Sequence, residues 1–431
     1  MKNLPQQIDQ LINDVPSLRS LIDLAEEMGI TTWLVGGVLR DLLLERPIAD
    51  IDLAAAADPT TLAKNWAARS GGRWFWLDRE RKQSRVLLPK RLTVDFAPLR
   101  APTLEADLLL RDFTINALAF KFNHTATDNT LIDPLNGCHH LIKRELHVTS
   151  RQSYVDDPLR MLKGIRHAVT LDMQLSETTV AQIQEFAQLI ENVAGERIRD
   201  ELGKILAAEQ CFRGIRLLQE TGLLRALLGP AQGSLDTEVM KALLQLEQQM
   251  ARVRLIVGLE EKEPIREESF SQHSIFFLAA LLAYYQPQNL PDILHRKLRL
   301  SRQQQKLILA LQQTPSEHWF RLSGQLPTGR RQALLVEQLG YMPDEQLLYL
   351  SVSPNPLNFS KAIELQESFL THQHLGRIPD ILSGQELQKL LTEMPVEVTG
   401  LFLKRIKAAE ITGEITDKND VLQWLKKKIT D

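Results

Sequence analysis

The segment 34–57, which reads LVGGVLRDLLLERPIADIDLAAAA, constrains the fold of this chain more than any other. Its pattern predicts a strand over 31–35, a pair of glycines in a tight turn, a short helix and then a second strand. That second strand carries Asp50 and Asp52. Because residues two apart on a strand point to the same face, we expect the two carboxylates to project together from one rigid edge.

The carboxylates and the glycines suit one chemistry, the handling of a polyphosphate. Two carboxylates on one edge can hold the divalent cation that a polyphosphate substrate needs. Gly36 and Gly37, placed before the helix that carries Arg40 and Asp41, let backbone N–H groups approach phosphate oxygens. Each half alone has a plainer interpretation, since a glycine pair is often only a turn and an Asp-x-Asp sequence is often a solvated loop. Their order and closeness favour the site.

Composition and charge are those of an ordinary globular protein of 431 residues, long enough for about two to four compact units. No apolar run approaches the roughly 18 residues of a membrane span, and the N-terminus lacks the apolar core of a signal peptide. Two cysteines without a pairing pattern, Cys138 and Cys211, indicate a reducing, cytoplasmic location. With a net charge of −3, the chain must hold any nucleic acid by a local basic surface.

Strand and helix patterns divide the chain near residue 150. Strand-like runs occupy the first part, at 31–35, 51–54, 73–77, 85–88, 92–96 and 117–122. From residue 150 onward apolar residues recur with the helical period and strand signals are almost absent. We therefore expect an α+β protein in which a small α/β head with a mixed sheet precedes a long all-α part. The charged segment 261–271 is the expected exposed excursion.

Two further places in the head carry polar residues that suit the same site. Asp95, on the run at 92–96, is a candidate third carboxylate, although an edge-strand aspartate that faces water is an equally good interpretation. Arg111 and Asp112 precede an otherwise apolar segment, where they could hold a ribose or a phosphate. Read alone, this pair could also be a structural salt bridge.

The helix that follows the two aspartates at 156–157 carries the features of a base-reading site. Asp156 is the predicted N-cap, and basic residues recur along one face of the helix, at Arg160, Lys163, Arg166 and His167. A solvated basic face explains that spacing equally well. However, a carboxylate only accepts hydrogen bonds and a guanidinium only donates them. Asp157 with Arg160 can therefore accept cytosine or adenine, which present an amine beside a ring-nitrogen acceptor, and reject uracil and guanine.

Taken in order, the motifs GG-V-L-RD, D-I-D, RDFTINALAF, IDPLNG, DDPLRMLKGIRHA and ERIRDEL resemble those of the class II tRNA nucleotidyltransferase and bacterial poly(A) polymerase family. The resemblance implies a palm-like head with a five-stranded sheet, then a helical neck, body and tail that grip a tRNA. The implied ranges are 1–25 for an N-terminal helix, 26–142 for the head, 143–228 for the neck with the base-reading helix, 229–340 for the body and 341–431 for the tRNA-binding tail.

The resemblance also implies a role for each candidate residue of the head. Asp50 and Asp52 would hold catalytic Mg²⁺, with Asp95 as a possible further catalytic carboxylate. Gly37, beside Gly36, and Arg40 would contact the triphosphate of the incoming nucleotide.

Further along the chain, the resemblance assigns the ribose and the base. Arg111 and Asp112 would contact the ribose, and Asp157 and Arg160 would read the incoming base. The family usually has two arginines that also meet the nucleotide, at the positions of Lys163 and Arg166. Glu196 and Arg197 match a motif that braces the neck.

We therefore expect a template-independent enzyme that adds CMP from CTP, and in an open alternative AMP from ATP, to tRNA 3′ ends. Many full CCA-adding members carry a longer flexible segment than the fifteen residues between Asp95 and Arg111. Here Pro98 and Pro102 stiffen that segment and Thr103 is predicted to cap a short helix. This favours an enzyme that stops at CC. The alternatives are full CCA or A addition, poly(A) addition, which the segment GGRWFWLDRERKQSRVLL argues against, and an inactive RNA-binding module.

Overall fold

The structure is a computed structural model that describes residues 4–248, 272–313, 381–390, 396–412 and 414–430, apart from short gaps at 49, 90–91, 124–130, 234, 242 and 245–246. The chain divides into two compact units, Met1–Gly229 and Pro230–Asp431. The excursion predicted at 261–271 and much of the predicted body and tail lie outside the described residues. The predicted boundary between head and neck, at residue 142, falls inside a helix of the first unit.

Helices and strands alternate in the first half of the first unit, and helices dominate its second half. In chain order the elements are α1 (Leu4–Asp14), α2 (Ser17–Glu27), β1 (Thr32–Val35), α3 (Gly37–Leu43), β2 (Asp50–Ala55), α4 (Thr60–Ser70), β3 (Arg73–Asp78), β4 (Gln83–Leu87), β5 (Thr93–Pro98), α5 (Leu104–Leu109), β6 (Ala119–Lys121), α6 (Gly137–Lys143), β7 (Glu145–Leu146), α7 (Gln152–Asp156), α8 (Leu159–Thr170), β8 (Gln174–Leu175), α9 (Glu177–Phe186), α10 (Gly195–Ala207), α11 (Cys211–Glu220) and α12 (Leu223–Leu228). Short 3₁₀ helices lie at Thr114–Asn116 and Ala187–Asn192.

Six strands form the main sheet, in the order β3-β4-β5-β2-β1-β6. Strands β2 and β5 pair in parallel, and every other neighbouring pair is antiparallel. Each strand-like run predicted from the sequence overlaps one of these strands, so the mixed sheet is confirmed. The family resemblance implied five strands, and this number is wrong. The apolar run at 117–122 adds a sixth, the short edge strand β6 beside β1.

One face of the sheet packs against the N-terminal helices and α4. Ile51, Phe96 and Trp66 are buried there, together with apolar residues of α1 and α2. The single N-terminal helix predicted for 1–25 is wrong in detail, since two helices occupy this region and share the core of the head. Pro16 separates them, because a proline has no backbone N–H to continue the hydrogen-bond ladder.

The other face of the sheet is covered only in part. Leu104 and Leu108 of α5 pack over β1, β2 and β6, where they meet Val35 and Ala54. Thr103 caps α5 as predicted, since its hydroxyl accepts a hydrogen bond of 3.2 Å from the N–H of Ala106. The sheet surface over β2, β5 and β4 therefore stays open, and the candidate site lies there.

The entry to α8 differs from the sequence expectation. Asp156 ends the preceding helix α7 and does not cap α8, which begins at Leu159 after Pro158. The reason is the proline, because the residue before a proline is disfavoured in the helical conformation. Asp157 accordingly has an extended backbone, with φ of −148° and ψ of 93°.

In the second unit the described elements are α13 (Gln272–Tyr285), α14 (Leu290–Asp292), a π-helical turn (Ile293–Lys297), α15 (Arg302–Gln313), α16 (Gly384–Leu390), α17 (Val396–Thr412) and α18 (Lys418–Thr430). Leu387, Phe402 and Val421 belong to one apolar core that joins α16, α17 and α18. Within the described helices, none has the length and apolar character that crossing a membrane would require.

Candidate active site

A row of charged side chains crosses the open face of the sheet. Asp52 on β2 lies directly beside Asp95 on β5, and Asp95 lies directly opposite Arg85 on β4. Arg85 grips Asp95 with two hydrogen bonds, from Nε to Oδ1 at 2.6 Å and from Nη2 to Oδ2 at 2.8 Å. Asp50, two residues before Asp52, accepts a hydrogen bond from the Thr93 hydroxyl. The three carboxylates predicted from the sequence therefore share one face.

Arg85 is the member of this row that the sequence analysis did not single out. Its signal was the alternation of QSRVL, in which Ser84 and Val86 are buried and Arg85 points to the opposite face. That pattern shows that Arg85 faces away from the core but does not show which residue it will meet. The partner depends on the register between β4 and β5, which is a contact of the folded sheet.

Asp52 is held in an environment that disfavours its charge. Burial, and then the nearby negative charge of Asp95, raise the pKa of Asp52 to about 6, although Arg111 lowers it in part. Throughout the described ranges, Asp52 has no side-chain hydrogen bond, and no group of three or more His, Cys, Asp or Glu side chains is arranged to hold a metal. Asp95 is engaged by Arg85, so the carboxylates that fit a divalent cation are Asp50 and Asp52. Two carboxylates suit Mg²⁺, which takes its other ligands from water and substrate phosphates.

The glycine turn before α3 brings backbone close to these charges. Gly36 has a φ of +76°, and a Cβ at this residue would lie 3.0 Å from Nη1 of Arg111 and 3.3 Å from Oδ2 of Asp52. Only glycine fits, because both the conformation and the space exclude a side chain. Gly37 begins α3. Arg40 is held by Asp41, at 2.9 and 2.8 Å, and donates to Oδ1 of Asn116 at 2.8 Å.

Arg111 is positioned by a buried carboxylate that the sequence analysis did not identify. Asp107 is only 2 % exposed, and its Oδ2 lies 3.4 Å from Nη2 of Arg111. Oδ1 of Asp107 accepts hydrogen bonds from the backbone N–H and Nε of Arg100, at 2.9 and 3.0 Å. Nε of Arg111 is buried and has no hydrogen-bond partner in the described structure. The available signal was the spacing of four between Asp107, in the last turn of α5, and Arg111, two residues past its end.

Asp112 supports the turn that follows it. Its Oδ1 accepts from the N–H of Phe113 at 2.8 Å and from Nδ2 of Asn116 at 2.9 Å. Burial acts to raise the pKa of Asp112, but the positive charge of Lys163 and these hydrogen bonds outweigh it and hold that pKa below its usual value. Asp112 therefore stays ionised, and the positive charge of Lys163 on α8 favours that state.

A cavity of about 390 Å³ brings the two halves of the site together. The predicted site residues among its lining are Asp52, Asp95, Arg111, Asp112, Asp157, Arg160 and Lys163. Those that do not line it are Asp50, Gly36, Gly37, Arg40 and Arg166. Asp52 and Asp95 thus face the same cavity as the predicted base-reading residues Asp157 and Arg160, although Asp52 is more than 100 residues from Asp157 in the chain.

Asp157 and Arg160 each keep hydrogen-bonding capacity free. Oδ2 of Asp157 accepts from Nη2 of Arg197 at 3.0 Å, whereas Oδ1 is buried and has no partner among the residues described. Nη1 of Arg160 donates to the Ser153 hydroxyl at 2.8 Å. Arg197 therefore fixes the orientation of Asp157, whose other carboxylate oxygen is unsatisfied, and both Asp157 and Arg160 line the cavity.

The basic face predicted for α8 is wrong at its C-terminal end. Arg166 donates from Nε to Glu201 at 2.7 Å and faces α10. His167 is only 4 % exposed, and its ring lies edge-on to Phe113 with centroids 5.8 Å apart. Burial, followed by the charge of Arg166, holds the pKa of His167 well below its usual value, so the imidazole is neutral. Neighbouring helices cover this part of α8, which the helical period alone does not reveal.

Comparison with known proteins agrees with this arrangement. A family model described as "Poly A polymerase head domain" matches residues 32–147, and another, described as "Probable RNA and SrmB- binding site of polymerase A", matches residues 172–235. A CC-adding tRNA nucleotidyltransferase of Geobacter sulfurreducens is 32 % identical over 96 % of this chain and 95 % of its own length. An A-adding tRNA nucleotidyltransferase of Deinococcus radiodurans is 38 % identical over 44 % of this chain and 43 % of its own length.

The fold is also shared with solved structures. The Thermotoga maritima CCA-adding enzyme, complexed with tRNA, matches with a TM-score of 0.66 at 23 % identity, over 96 % of this chain and 94 % of that chain. The mixed sheet with its carboxylate edge is that of a nucleotidyltransferase head. The chain belongs to the tRNA nucleotidyltransferase and poly(A) polymerase family, as its motifs predict, and the α+β fold class is confirmed.

The raised pKa of Asp52 makes a prediction about stability. In the metal-free protein, ionised Asp52 destabilises the fold, and this penalty is absent near pH 4, grows as pH rises to about 6 and is then constant. Asp52→Asn should therefore be more stable than wild type at pH 7.5 and unfold at a higher temperature. The gain in the free energy of unfolding should be up to about 3 kcal/mol, since one pKa unit is about 1.4 kcal/mol. The difference should vanish near pH 4.

Thermal unfolding with and without Mg²⁺ checks this prediction. Mg²⁺ at pH 7.5 should stabilise the wild type and leave Asp52→Asn unchanged, because the cation relieves the charge that the variant lacks. The matched control is Asp78→Asn, a carboxylate at the far edge of the sheet. Identical pH profiles for wild type and Asp52→Asn would contradict the assignment.

Proposed function

We propose that this protein adds CMP to the 3′ ends of tRNA without a nucleic-acid template. The observation that carries the proposal is the single cavity that Asp52, Arg111, Asp157 and Arg160 all line. Nucleotide selection by protein alone has two requirements. One is a carboxylate-bearing sheet edge for a metal-bound triphosphate, and the other is a hydrogen-bond acceptor and donor that together recognise a base. The relative in Geobacter sulfurreducens, similar over almost the whole chain, is named a CC-adding enzyme.

Asp50 and Asp52 are the residues that would hold Mg²⁺. When bound, Mg²⁺ lowers the pKa of an attacking hydroxyl and neutralises charge on a leaving pyrophosphate. In this chain, Asp52 keeps an unpaired carboxylate for that purpose, and Asp95 is kept in place by Arg85. We assign the triphosphate to the turn at Gly36 and Gly37 and to Arg40.

Arg111 and Asp112 are assigned to the ribose, next to the base-reading helix. Arg111 lines the cavity, and Asp107 keeps its guanidinium in place. Lys163, which lines the same cavity, offers a mobile positive charge that suits a phosphate oxygen. Arg166 is directed to Glu201, so its proposed role is to hold α8 against α10 and thereby support the nucleotide site.

Base selection rests on Asp157 and Arg160. Cytosine presents an amine donor beside a ring-nitrogen acceptor, which matches the free Oδ1 of Asp157 and the guanidinium of Arg160. Uracil presents an oxygen acceptor beside an N–H donor, so both contacts would be mismatched. Adenine satisfies the same pair, and the choice between C and A must come from elsewhere in the site.

The segment between β5 and the Arg-Asp motif supports an enzyme that stops at CC. In this family, a flexible segment at this place is thought to reshape the base pocket before A is added. Here the segment is held at three points. The N–H of Leu99 donates a hydrogen bond to the carbonyl of Ala55 at 3.0 Å, and the backbone N–H of Arg100 donates one to buried Asp107. Thr103 caps the start of α5. Only a few residues are left as loop, which is short for a mobile lid.

Sequencing of tRNA 3′ ends tests the product. A tRNA that lacks its CCA end is incubated with Mg²⁺ and CTP alone, ATP alone, or both nucleotides. We expect CC ends with CTP, no addition with ATP alone, and still CC ends with both. Efficient CCA ends with both nucleotides would show a full CCA-adding enzyme, and long A tails would show the poly(A) alternative. No incorporation of any nucleotide would favour the inactive RNA-binding module.

Substitution of the base-reading pair should relax selection as well as slow the reaction. Asp157→Ala or Arg160→Ala leaves the correct base with an unpaired buried group, which costs about 1–3 kcal/mol. The preference for CTP over UTP, measured as a ratio of kcat/KM, should fall by roughly ten- to a hundredfold. Arg151→Ala is the control and should keep the preference, because Arg151, at the start of α7, is exposed, pairs with Glu185 and does not line the cavity. Unchanged selection in the two variants would place base reading elsewhere.

The proposed domain assignment follows the same division of labour. The head, 26–142, would carry the chemistry, the neck, 143–228, would read the base, and the helical ranges 229–340 and 341–431 would hold the tRNA. The partner would be the tRNA 3′ end, with CTP as the proposed nucleotide.

A further inference from the structure

The outer edge of the sheet exposes two neighbouring apolar side chains on the side that carries the carboxylates. Along β3, Phe75 is 43 % exposed and Leu77 is 47 % exposed. The alternation of the strand places both on one face with Arg73. Isolated apolar residues at a surface are common, but here an aromatic and an aliphatic side chain lie next to each other at an active-site edge.

The strand register connects Phe75 to the carboxylate row. Phe75 lies opposite Arg85, Arg85 opposite Asp95, and Asp95 beside Asp52, so all four share one line across the sheet. Since neighbouring strands are about 4.8 Å apart, Phe75 lies roughly 14 Å from Asp52. Leu77, two residues further on, already lines the active-site cavity. The apolar surface is therefore a continuation of the site.

The opposite face of the same strand has its aromatic residues occupied. Trp74 and Trp76 pack edge-to-face with centroids 5.0 Å apart, and Nζ of Lys64 lies 4.5 Å from the centre of the Trp74 ring. In the described structure, Phe75 has no such ring or cation contact. The strand thus uses one face for packing and leaves the other face available.

The charge of this hairpin suits a nucleic acid. Residues 73–85 contain five basic and two acidic side chains, in a chain whose net charge is −3. Arg81 pairs with Asp78 and Lys82 pairs with Asp58, whereas Arg73 and Arg79 are exposed and have no ion pair in the described residues. Free guanidinium groups beside an exposed aromatic ring are the usual components of a surface that binds single-stranded nucleic acid.

We propose that the outer hairpin surface, defined as Arg73, Phe75 and Leu77 on one face of β3 together with Arg79 in the turn that follows, holds the unpaired 3′-terminal segment of the acceptor RNA. One base stacks on Phe75, the apolar body of Leu77 continues the surface into the cavity, and the two arginines contact backbone phosphates. The distance of roughly 14 Å from Asp52 places this contact upstream of the reacting hydroxyl, away from the incoming nucleotide. Stacking accepts any base, so the face would bind acceptor ends of different sequence. The inference rests on the proposed function, because it supplies the acceptor side of that reaction.

Variants of Phe75 separate stacking from other roles. Phe75→Thr removes the ring but keeps a good strand former, and Phe75→Tyr keeps the ring. The matched control is Ile142→Ala, which shortens an apolar side chain that is 65 % exposed on α6. We measure KM for a tRNA without its CCA end, KM for CTP and kcat, together with thermal unfolding and the solution mass of each variant.

The expected result is selective for the acceptor. Phe75→Thr should raise KM for the tRNA by about tenfold or more, since loss of one base stack weakens binding by that order, while KM for CTP and kcat stay within about twofold. Phe75→Tyr and Ile142→Ala should match wild type. An unchanged KM for tRNA in Phe75→Thr would overturn the proposal, as would an equal change in KM for CTP. A wild-type dimer that Phe75→Thr converts to a monomer would also overturn it, since a second copy would then cover the face.

Binding measured without catalysis keeps this inference separate from the proposed function. Fluorescence anisotropy with a labelled tRNA lacking CCA, in the absence of nucleotide, should show weaker binding by Phe75→Thr than by wild type. If wild type adds no CMP but this difference in binding is found, the proposed function fails and the acceptor face stands. If wild type adds CMP and the two proteins bind equally, the acceptor face fails and the proposed function stands.

Discussion

The parallel pairing of β2 with β5 is the contact on which the rest of the site depends. It sets Asp52 directly beside Asp95, so two negative charges lie on neighbouring strands at a partly enclosed surface. The structure compensates one of them with Arg85 and leaves the other with a raised pKa. A carboxylate whose pKa is raised in this way is the one whose ionised form a nearby cation stabilises most. The unfavourable electrostatic environment is thus concentrated on Asp52, the residue that the proposed chemistry uses.

The surrounding elements limit what this edge can do. Asp107 and Asp112 hold Arg111 and the turn after it. Asp157, just before α8, and Arg160, in its first turn, line the same cavity. Arg197 fixes one oxygen of Asp157 and leaves the other free. Selection of a base by protein side chains needs such fixed, unsatisfied groups, because a flexible pair would adapt to the wrong base.

Local features of the site could be predicted from the sequence, whereas contacts between residues on different strands could not. Asp50 and Asp52 could be placed on one face because a strand has a period of two, and Thr103 could be named as a cap from its position before α5. Arg85 and Asp107 were missed because their partners are fixed by sheet register and by burial. His167 was placed with Arg160 and Lys163 on one basic face because the helical period does not show that other helices cover this part of α8. Asp156 was named as a cap although the next residue precedes a proline.

Single-turnover transfer of CMP by Asp50→Asn, with tRNA affinity measured in parallel, tests the central claim most directly. Asp50 is at the exposed end of β2 and does not line the cavity, so this change removes a proposed cation ligand and leaves the cavity lining, with the proposed base-reading pair, unchanged. The account predicts that transfer falls by about a thousandfold or more, which is roughly 4 kcal/mol of transition-state stabilisation, while the Kd for tRNA stays within about twofold. Transfer within tenfold of wild type at saturating Mg²⁺ would contradict it.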